Sequence, residues 1–200
     1  MKSIENKIES RILHKNRGVI FFPEDFADLG SNEAVRLALH RLEKKEKIHR
    51  IAQGIYVRPR ISEYVGEIIP TAEDVAEAIA KRDKIKMIPT GVYALNALGL
   101  STQVPMNIIF LTDGSPREIK IGKRTISLKK TTPKNLKVKG KISGLVIQAL
   151  REIGNNNVSD QEENKIIDIL KKEDQSKLRY DISLAPVWIQ KIMKKAIDDE

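Results

Sequence analysis

Residues 31–59 read SNEAVRLALHRLEKKEKIHRIAQGIYVRP, and this pattern predicts a helix followed at once by a short basic hairpin. Ser31 or Asn32 can cap the helix, which carries an apolar stripe at helical spacing. The stripe consists of Val35, Ala38, Leu39 and Leu42. Gly54 can take the positive φ that a tight hairpin loop requires. A helix followed by a basic hairpin is typical of a winged helix-turn-helix, so we expect the chain to bind duplex DNA.

Two predicted helices precede this segment and complete a three-helix module. Ile4, Ile8 and Ile12 recur at helical spacing and predict an amphipathic first helix. Pro23 suits the first turn of a short second helix, where its missing N–H costs nothing. Gly30 can end that second helix immediately before the third one begins. The sequence therefore predicts a winged helix-turn-helix domain over residues 1–60.

The remainder of the chain predicts a connecting segment over residues 61–70 and an α+β domain over residues 71–200. Its predicted elements are helices at 72–83, 92–98, 143–153, 160–172 and 184–197, and strands at 106–112, 118–121 and 125–129. Isoleucine alternates with lysine or arginine in the last two strands, which indicates one buried and one solvated face. The expected fold class is α+β, with an N-terminal winged helix-turn-helix and a C-terminal α+β domain that contains a small antiparallel sheet.

The composition of the chain indicates which kinds of partner and site it can have. The 200 residues carry a formal net charge of +9, with a pI near 9.6, and this favours a polyanion such as nucleic acid. The absence of cysteine excludes disulfides, thiolate zinc sites and cysteine nucleophiles. No apolar run approaches the roughly 20 residues that span a bilayer, and the N-terminus lacks a signal-peptide pattern. We expect a cytoplasmic protein without a membrane partner.

The candidate DNA contacts lie on the third predicted helix and the hairpin. The predicted DNA-binding residues are Ser31, Asn32, Arg36, His40, Arg41, Lys44, His49, Arg50 and Arg58. Arg36, His40 and Lys44 follow at i, i+4 and i+8 and share a helix face. Arginine can read guanine and asparagine can read adenine, whereas the flanking Arg50 and Arg58 are expected to neutralise phosphates. A basic helix face is also typical of solvated surface, but the adjoining hairpin favours DNA binding.

A second basic cluster lies on the predicted strands and the loop after them. Its residues are Arg117, Lys120, Lys123, Arg124, Lys129, Lys130 and Lys134, followed by Lys137, Lys139 and Lys141. One interpretation is a second nucleic-acid contact or a surface for an acidic or RNA-bound partner. The other is a lysine-rich sheet edge that keeps the protein soluble. Few aromatic residues lie among these lysines, which disfavours a base-stacking platform.

Evidence for catalysis is weak in the sequence. Asp113, Glu118 and Lys120 resemble a metal-dependent nuclease motif only superficially, because Asp113 falls in a turn just before the strand that carries Glu118. The histidines form no ligand pair, and no glycine-rich phosphate loop is present. We therefore expect no catalytic residues, no metal and no cofactor. A metal-dependent nucleic-acid enzyme, or an RNA-associated adaptor using the basic strands at 117–141, remains the alternative.

Two sequence elements carry a resemblance to a known family. HRIAQGIYVRP at 49–59 and PTGVYALNALGLSTQVP at 89–105, placed after the predicted winged helix, resemble the AbiE-type antitoxins of bacterial type IV toxin–antitoxin (abortive infection) systems. The resemblance implies a repressor whose N-terminal domain binds inverted repeats in its own promoter. It also implies that the C-terminal domain opposes a nucleotidyltransferase-like toxin.

Overall fold

The computed structural model describes residues 3–197. Contacts divide the chain into two units. The first contains the described residues up to Arg82 together with Ile119–Lys123, and the second contains Asp83–Glu118 and the described residues from Arg124 onward. Helices and short strands mix throughout, so the α+β class predicted from the sequence is confirmed.

The elements up to residue 83 are amphipathic helices and short strands, four of the strands following one another. In chain order they are α1 (Ile4–Leu13), β1 (Ile20–Phe21), a 3-10 helix (Pro23–Leu29), α2 (Asn32–Lys44), β2 (His49–Ala52), β3 (Ile55–Val57), β4 (Arg60–Ser62), β5 (Gly66–Ile68) and α3 (Ala72–Asp83). Strands β1, β3 and β2 form an antiparallel sheet in that order. Strands β4 and β5 form a separate two-stranded hairpin.

The apolar stripe of α2 holds this part of the fold together. Leu39 and Leu42 are fully buried, and they share one core with Ile8 of α1 and with Phe21 and Phe26. The two phenylalanine rings meet edge to face, with centroids 5.7 Å apart. Burying each large side chain stabilises the fold by roughly 1.5–3 kcal/mol. The solvent side of α2 carries mostly polar residues, together with the exposed Leu37.

Local signals in the sequence fix the ends of these elements. The Ser31 hydroxyl accepts a hydrogen bond from the Ala34 N–H at 3.3 Å, so Ser31 is the N-cap of α2. Gly54 has φ of +68° in the turn between β2 and β3, as the predicted hairpin requires. Thr71 and Asp74 exchange the two hydrogen bonds of a capping box at the start of α3.

The elements after α3 build a four-stranded sheet and a helical layer. They are β6 (Met87–Thr90), α4 (Val92–Ala97), β7 (Asn107–Thr112), β8 (Arg117–Ile121), β9 (Arg124–Lys130), a 3-10 helix (Asn135–Lys137), α5 (Lys141–Ile153), α6 (Asp160–Leu170), α7 (Gln175–Ile182) and α8 (Val187–Lys194). One core joins helices α4 to α8, with Leu150, Ile166, Leu178 and Ile189 fully buried in it. Within the described residues, no helix is both long and apolar enough to cross a membrane.

The predicted antiparallel sheet is mixed in the structure. Its strand order is β6–β7–β9–β8; β6 pairs antiparallel with β7, whereas β7 and β9 are parallel. The chain passes from β7 to the outer strand β8 and returns through a tight turn at Gly122, so β9 fills the position between them. The alternation of apolar and charged residues correctly indicated a buried face for β9, where Ile126 and Leu128 are buried, whereas the isoleucines of β8 are only half-buried. It could not indicate this strand order.

The start of α5 is capped by side chains from elsewhere in the fold. Its N-cap residue is Gly140, which has no side chain to offer. Fully buried Asp181 of α7 accepts hydrogen bonds from the Lys139 and Gly140 N–H groups, at 2.8 and 2.7 Å, and from the Ser143 hydroxyl. Glu173 accepts from the N–H groups of Ile142 and Ser143 in the first turn of the helix. These carboxylates satisfy the unpaired donors of the first turn.

Two structural features lie near the predicted domain boundaries. Residues 61–70 are not a plain connecting segment, because they contain most of the β4–β5 hairpin. By its contacts the first unit runs to Arg82, so it includes most of α3 together with the residues of the predicted winged helix. The physical reason is that α3 contacts the N-terminal elements: Arg82 lies over the Phe22 ring.

Three elements after residue 83 also differ from the sequence prediction. Strand β6 was not predicted, because Pro89 weakens its strand pattern. The proline is tolerated there because β6 is an edge strand. Helix α7 was not predicted, because Asp181 is one of its three buried residues and the apolar stripe is short. The last helix begins at Val187 and not at Leu184, because Pro186 occupies its N-cap position.

Candidate nucleic-acid interface

The solvent side of α2 carries the strongest candidate site. Burial of the apolar stripe turns Arg36 and His40 outward, and both side chains are exposed. They are separated by one helical turn and therefore lie on the same face. Asn32 is exposed in the first turn of the helix, while the hydroxyl of Ser31 is engaged in capping it. The exposed face thus begins with Asn32 and continues through two basic residues.

Arg36 and His40 line an open depression together with Arg50 of β2. The depression has a volume of about 540 Å³, and the hairpin turn at Gln53 and Gly54 forms part of its wall. Arg82 of α3 also lines it. Four basic side chains from three elements therefore converge on one concave surface, which is suited to an anionic ligand.

Tyr56 forms a rigid wall of the depression. Its side chain is 6% exposed, and its ring stacks on Phe21 with centroids 6.2 Å apart and an interplanar angle of 14°. Burial raises the pKa of the Tyr56 phenol, although the nearby Arg50 and Arg36 act in the opposite direction. The phenol is protonated at neutral pH, as an unshifted tyrosine is, and can donate a hydrogen bond.

The other predicted α2 residues point elsewhere. Arg41 lies about 140° around the helix from Arg36. Its guanidinium is 3.8 Å from the Glu5 carboxylate of α1, which also accepts a hydrogen bond from Lys45 at 2.5 Å. Lys44 is exposed in the last turn and does not line the depression. Of the predicted basic residues of α2, Arg36 and His40 line the depression with the hairpin.

The other two residues predicted to contact DNA from the hairpin, His49 and Arg58, do not line the depression. His49 lies on the opposite face of β2 from Arg50, because successive strand residues alternate, and its Nδ1 is 2.9 Å from the Glu67 carboxylate. Arg58 donates to the carbonyl oxygens of Leu13 and Lys15 at 3.0 and 3.2 Å. Those carbonyls follow or end α1, so the structure gives Arg58 the role of fastening the end of that helix.

Arg58→Ala should accordingly destabilise the fold without removing a phosphate contact. Loss of the two hydrogen bonds should lower the free energy of unfolding by about 1 kcal/mol. Urea denaturation measures this change, and DNA affinity measured across a salt series should keep its wild-type log–log slope. A slope reduced by about one unit, with stability unchanged, would return Arg58 to the DNA contacts.

The residues of the second basic cluster differ in exposure and in their contacts. Arg117 forms an ion pair with Asp83, and Arg124 is half-buried. Lys120 and Lys123 are exposed within the segment Ile119–Lys123. Three further lysines are exposed at the end of β9 and in the loop after it: Lys129, Lys130 and Lys134. This second group is a compact run of exposed positive charge in the second unit.

The superficial nuclease motif has ordinary structural contacts. The Asp113 carboxylate accepts a hydrogen bond from the Lys86 N–H at 2.8 Å, and Glu118 accepts from the Ser127 hydroxyl at 3.3 Å. Over residues 3–197, no group of three or more histidine, cysteine, aspartate or glutamate side chains could hold a metal ion.

Six residues that line the depression were not among the predicted site residues, and Gln53, Tyr56 and Arg82 are the polar, aromatic and basic ones that bear most on binding. Gln53 occupies the hairpin turn, where residue type says little about direction. Tyr56 interrupts an apolar strand, and a polar ring in such a place signals a hydroxyl that needs a polar environment. Arg82 lies 32 residues after Arg50, so only the tertiary fold brings them together.

The chain belongs to the family of unknown function DUF6088, whose model matches residues 7–178. That match includes nearly all of the first unit and most of the second. No curated protein is significantly similar to the chain.

Proposed function

We propose that this chain is a winged helix-turn-helix protein that binds duplex DNA through α2, represses its own promoter and acts as an antitoxin. The observation that carries the DNA-binding part is the convergence of Arg36, His40 and Arg50 beside the β2–β3 hairpin. The antitoxin part rests on the resemblance of two sequence elements to AbiE-type antitoxins.

Topology supports this proposal. A winged helix has one helix, an edge strand, two further helices and then a hairpin that pairs with that strand. Here α1, β1, the 3-10 helix and α2 precede β2 and β3, and β3 pairs with both β1 and β2. The 3-10 helix takes the place of the second helix and is joined to α2 through Gly30 and Ser31. In this arrangement α2 is the recognition helix.

The dimensions and chemistry of α2 fit the major groove. Thirteen residues give the helix a length of about 20 Å, and a groove about 12 Å wide admits one helix. Arg36 can pair with guanine O6 and N7, and Asn32 can pair with adenine. Arg50, at the base of the hairpin, is placed to neutralise a neighbouring phosphate. The interface therefore combines base reading on the helix with backbone contacts on the wing.

Binding to DNA is tested with the full chain and the duplex upstream of its own reading frame. Fluorescence anisotropy should show tighter binding to this duplex than to a scrambled duplex of the same composition and length. Single-stranded RNA of equal length should bind no better than the scrambled duplex. Preferential binding to the RNA would instead favour the adaptor function, and cleavage of either substrate in magnesium would favour a nucleic-acid enzyme.

The exposed lysines of the second unit provide a test of the antitoxin part. Lys129→Glu, Lys130→Glu and Lys134→Glu, combined in the full chain, reverse charges that are separate from α2 along the chain. We expect this triple variant to lose rescue of cells that express a cognate nucleotidyltransferase-like toxin, of the kind that the resemblance implies, while promoter affinity stays at the wild-type value.

A matched control reverses three lysines of the first unit, Lys7, Lys15 and Lys47, each exposed or half-buried at the surface. This control should keep rescue. Loss of promoter affinity with rescue intact would assign the β9 lysines to nucleic acid, and no effect on either readout would make them a solvated face.

A further inference from the structure

The β4–β5 hairpin of the first unit carries a cluster of exposed apolar residues. Ile61, Tyr64, Val65 and Ile69 are each more than half exposed, and Tyr64 is 95% exposed. Apolar residues scattered singly over a surface need no explanation, but four within nine consecutive residues form a patch. A patch of this kind on a folded chain marks a surface for another macromolecule.

The hairpin presents these residues on a structured element. Ile61 and Glu67 lie opposite each other in the hairpin, and the Glu67 carboxylate is 2.9 Å from Nδ1 of His49 in β2. In the loop between the strands, the Ser62 hydroxyl accepts a hydrogen bond from the Tyr64 N–H at 3.2 Å. The ion pair and the loop hydrogen bond together fix where the patch lies on the first unit.

Both strands of the hairpin have an edge available for pairing. In the described part of the chain, β4 and β5 pair with each other and form a sheet of their own. The N–H and C=O groups on the outer side of such strands can pair with a strand of another chain. A two-stranded hairpin is only marginally stable by itself in water, so a further strand and a covered apolar face would stabilise it.

The exposed area is close to what a dimer needs. The four apolar residues together expose roughly 500 Å², whereas each partner contributes about 800 Å² to a standard interface. Glu63 and Gly66 of the same hairpin are also exposed and add to this area. Two such hairpins would therefore bury an area at the lower end of specific interfaces, which is typical of a reversible association.

Charge and symmetry favour a second copy of this chain as the partner. Residues 60–69 contain one arginine and two glutamates, a formal net charge of −1, in a chain whose net charge is +9. The hairpin thus has no excess of positive charge to attract a nucleic acid, and it is a place where two basic chains can approach with little repulsion. A two-fold axis places the same patch on both sides, so that apolar residues meet apolar residues.

We propose that the β4–β5 hairpin is a homodimer interface, in which the hairpins of two copies of this chain pair edge to edge across a two-fold axis. The pairing covers the apolar patch of both copies. The residues that line the α2 depression belong to other elements, so the dimer uses a surface separate from the proposed DNA contacts. The inference goes beyond the proposed function and does not depend on it.

The test measures the mass of the full chain without DNA, by sedimentation from low to high micromolar concentration. The wild-type chain should pass from monomer to dimer over this range. Tyr64→Ser combined with Val65→Thr should raise the dimer dissociation constant at least about tenfold, because it removes the most exposed part of the patch. The matched control, Val104→Thr combined with Met106→Thr, removes two exposed apolar residues outside the hairpin and should keep the wild-type constant.

Hydrogen exchange of the wild-type chain locates the interface without a substitution. Exchange of the amides in residues 60–69 should slow as the concentration rises and the dimer forms, because edge amides become hydrogen-bonded. Slowing confined to other parts of the chain would overturn the proposal, even if the hairpin variant failed to fold.

Three sedimentation results would also overturn the dimer. They are a wild-type chain that stays monomeric at high micromolar concentration, a dimer that the hairpin variant leaves intact, and an equal loss of the dimer in the control variant. Because no DNA is present, each of these results leaves the proposed function to be judged by its own binding experiment.

Discussion

Asp181→Ala should lower the free energy of unfolding of the full chain by about 3 kcal/mol, which is a large fraction of the stability of an ordinary domain. The carboxylate is fully buried and accepts three hydrogen bonds, two from backbone N–H groups and one from the Ser143 hydroxyl. Removing it leaves those donors without a partner at the start of α5. Chemical denaturation followed by circular dichroism measures the loss.

Two further variants separate the hydrogen bonds from other effects. Asp181→Asn keeps the side-chain size but replaces one acceptor oxygen with a donor, so it should also destabilise strongly. Asp168→Ala removes an exposed carboxylate of α6 and should change the stability by less than about 0.5 kcal/mol. Equal, small losses for Asp181→Ala and Asp168→Ala would show that the buried carboxylate does not hold α5 in place.

The second large effect is expected on DNA affinity. Arg36→Ala should weaken binding to the promoter duplex by about 1–3 kcal/mol, if Arg36 makes a bidentate base contact, and should weaken binding to scrambled duplex much less. The structure supports this expectation because Arg36 is exposed beside Arg50 and the hairpin. Fluorescence anisotropy on the two duplexes measures both effects.

Arg41→Ala is the matched control for Arg36→Ala. It removes the same charge from the same helix, but Arg41 faces Glu5 of α1 and not the depression. Its exposed ion pair should contribute little to stability, and promoter preference should remain. Equal losses of preference in both variants would mean that net charge, and not the face of α2, determines binding.

Much of the fold near α2 could be predicted from sequence because its signals are local. Ser31 caps the helix, the stripe that includes Leu39 and Leu42 is buried, and Gly54 turns the hairpin with positive φ. Each of these features depends on a residue and its near neighbours in the chain. The same holds for the capping box of Ser159 and Glu162, which begins α6 as predicted.

The elements that sequence did not predict depend on distant partners. Helix α7 is stabilised through Asp181, whose hydrogen-bond donors lie about 40 residues earlier in the chain. The strand order of the second sheet depends on where β9 returns, which no periodicity records. The sequence pattern therefore predicts α2 and the β2–β3 hairpin more accurately than it predicts the second unit.

Local patterns predicted some of the residues that line the depression, and long-range contacts bring in the others. Helical spacing placed Arg36 and His40 on one face, and strand alternation could have separated His49 from Arg50. The role of Arg58 follows from carbonyl groups more than 40 residues away, and the approach of Arg82 to Phe22 requires α3 to fold back. These long-range contacts are what the sequence could not supply.

A double-mutant cycle between Arg36 and the major-groove edge of guanine tests the central claim most directly. Guanines of the promoter site are replaced singly by 7-deazaguanine, which lacks the N7 acceptor that arginine reads. For at least one guanine, the replacement should weaken binding of the wild-type chain but not of Arg36→Ala, because the variant no longer makes the contact. If every replacement weakens both proteins equally, or weakens neither, α2 does not read the major groove through Arg36, and the account is contradicted.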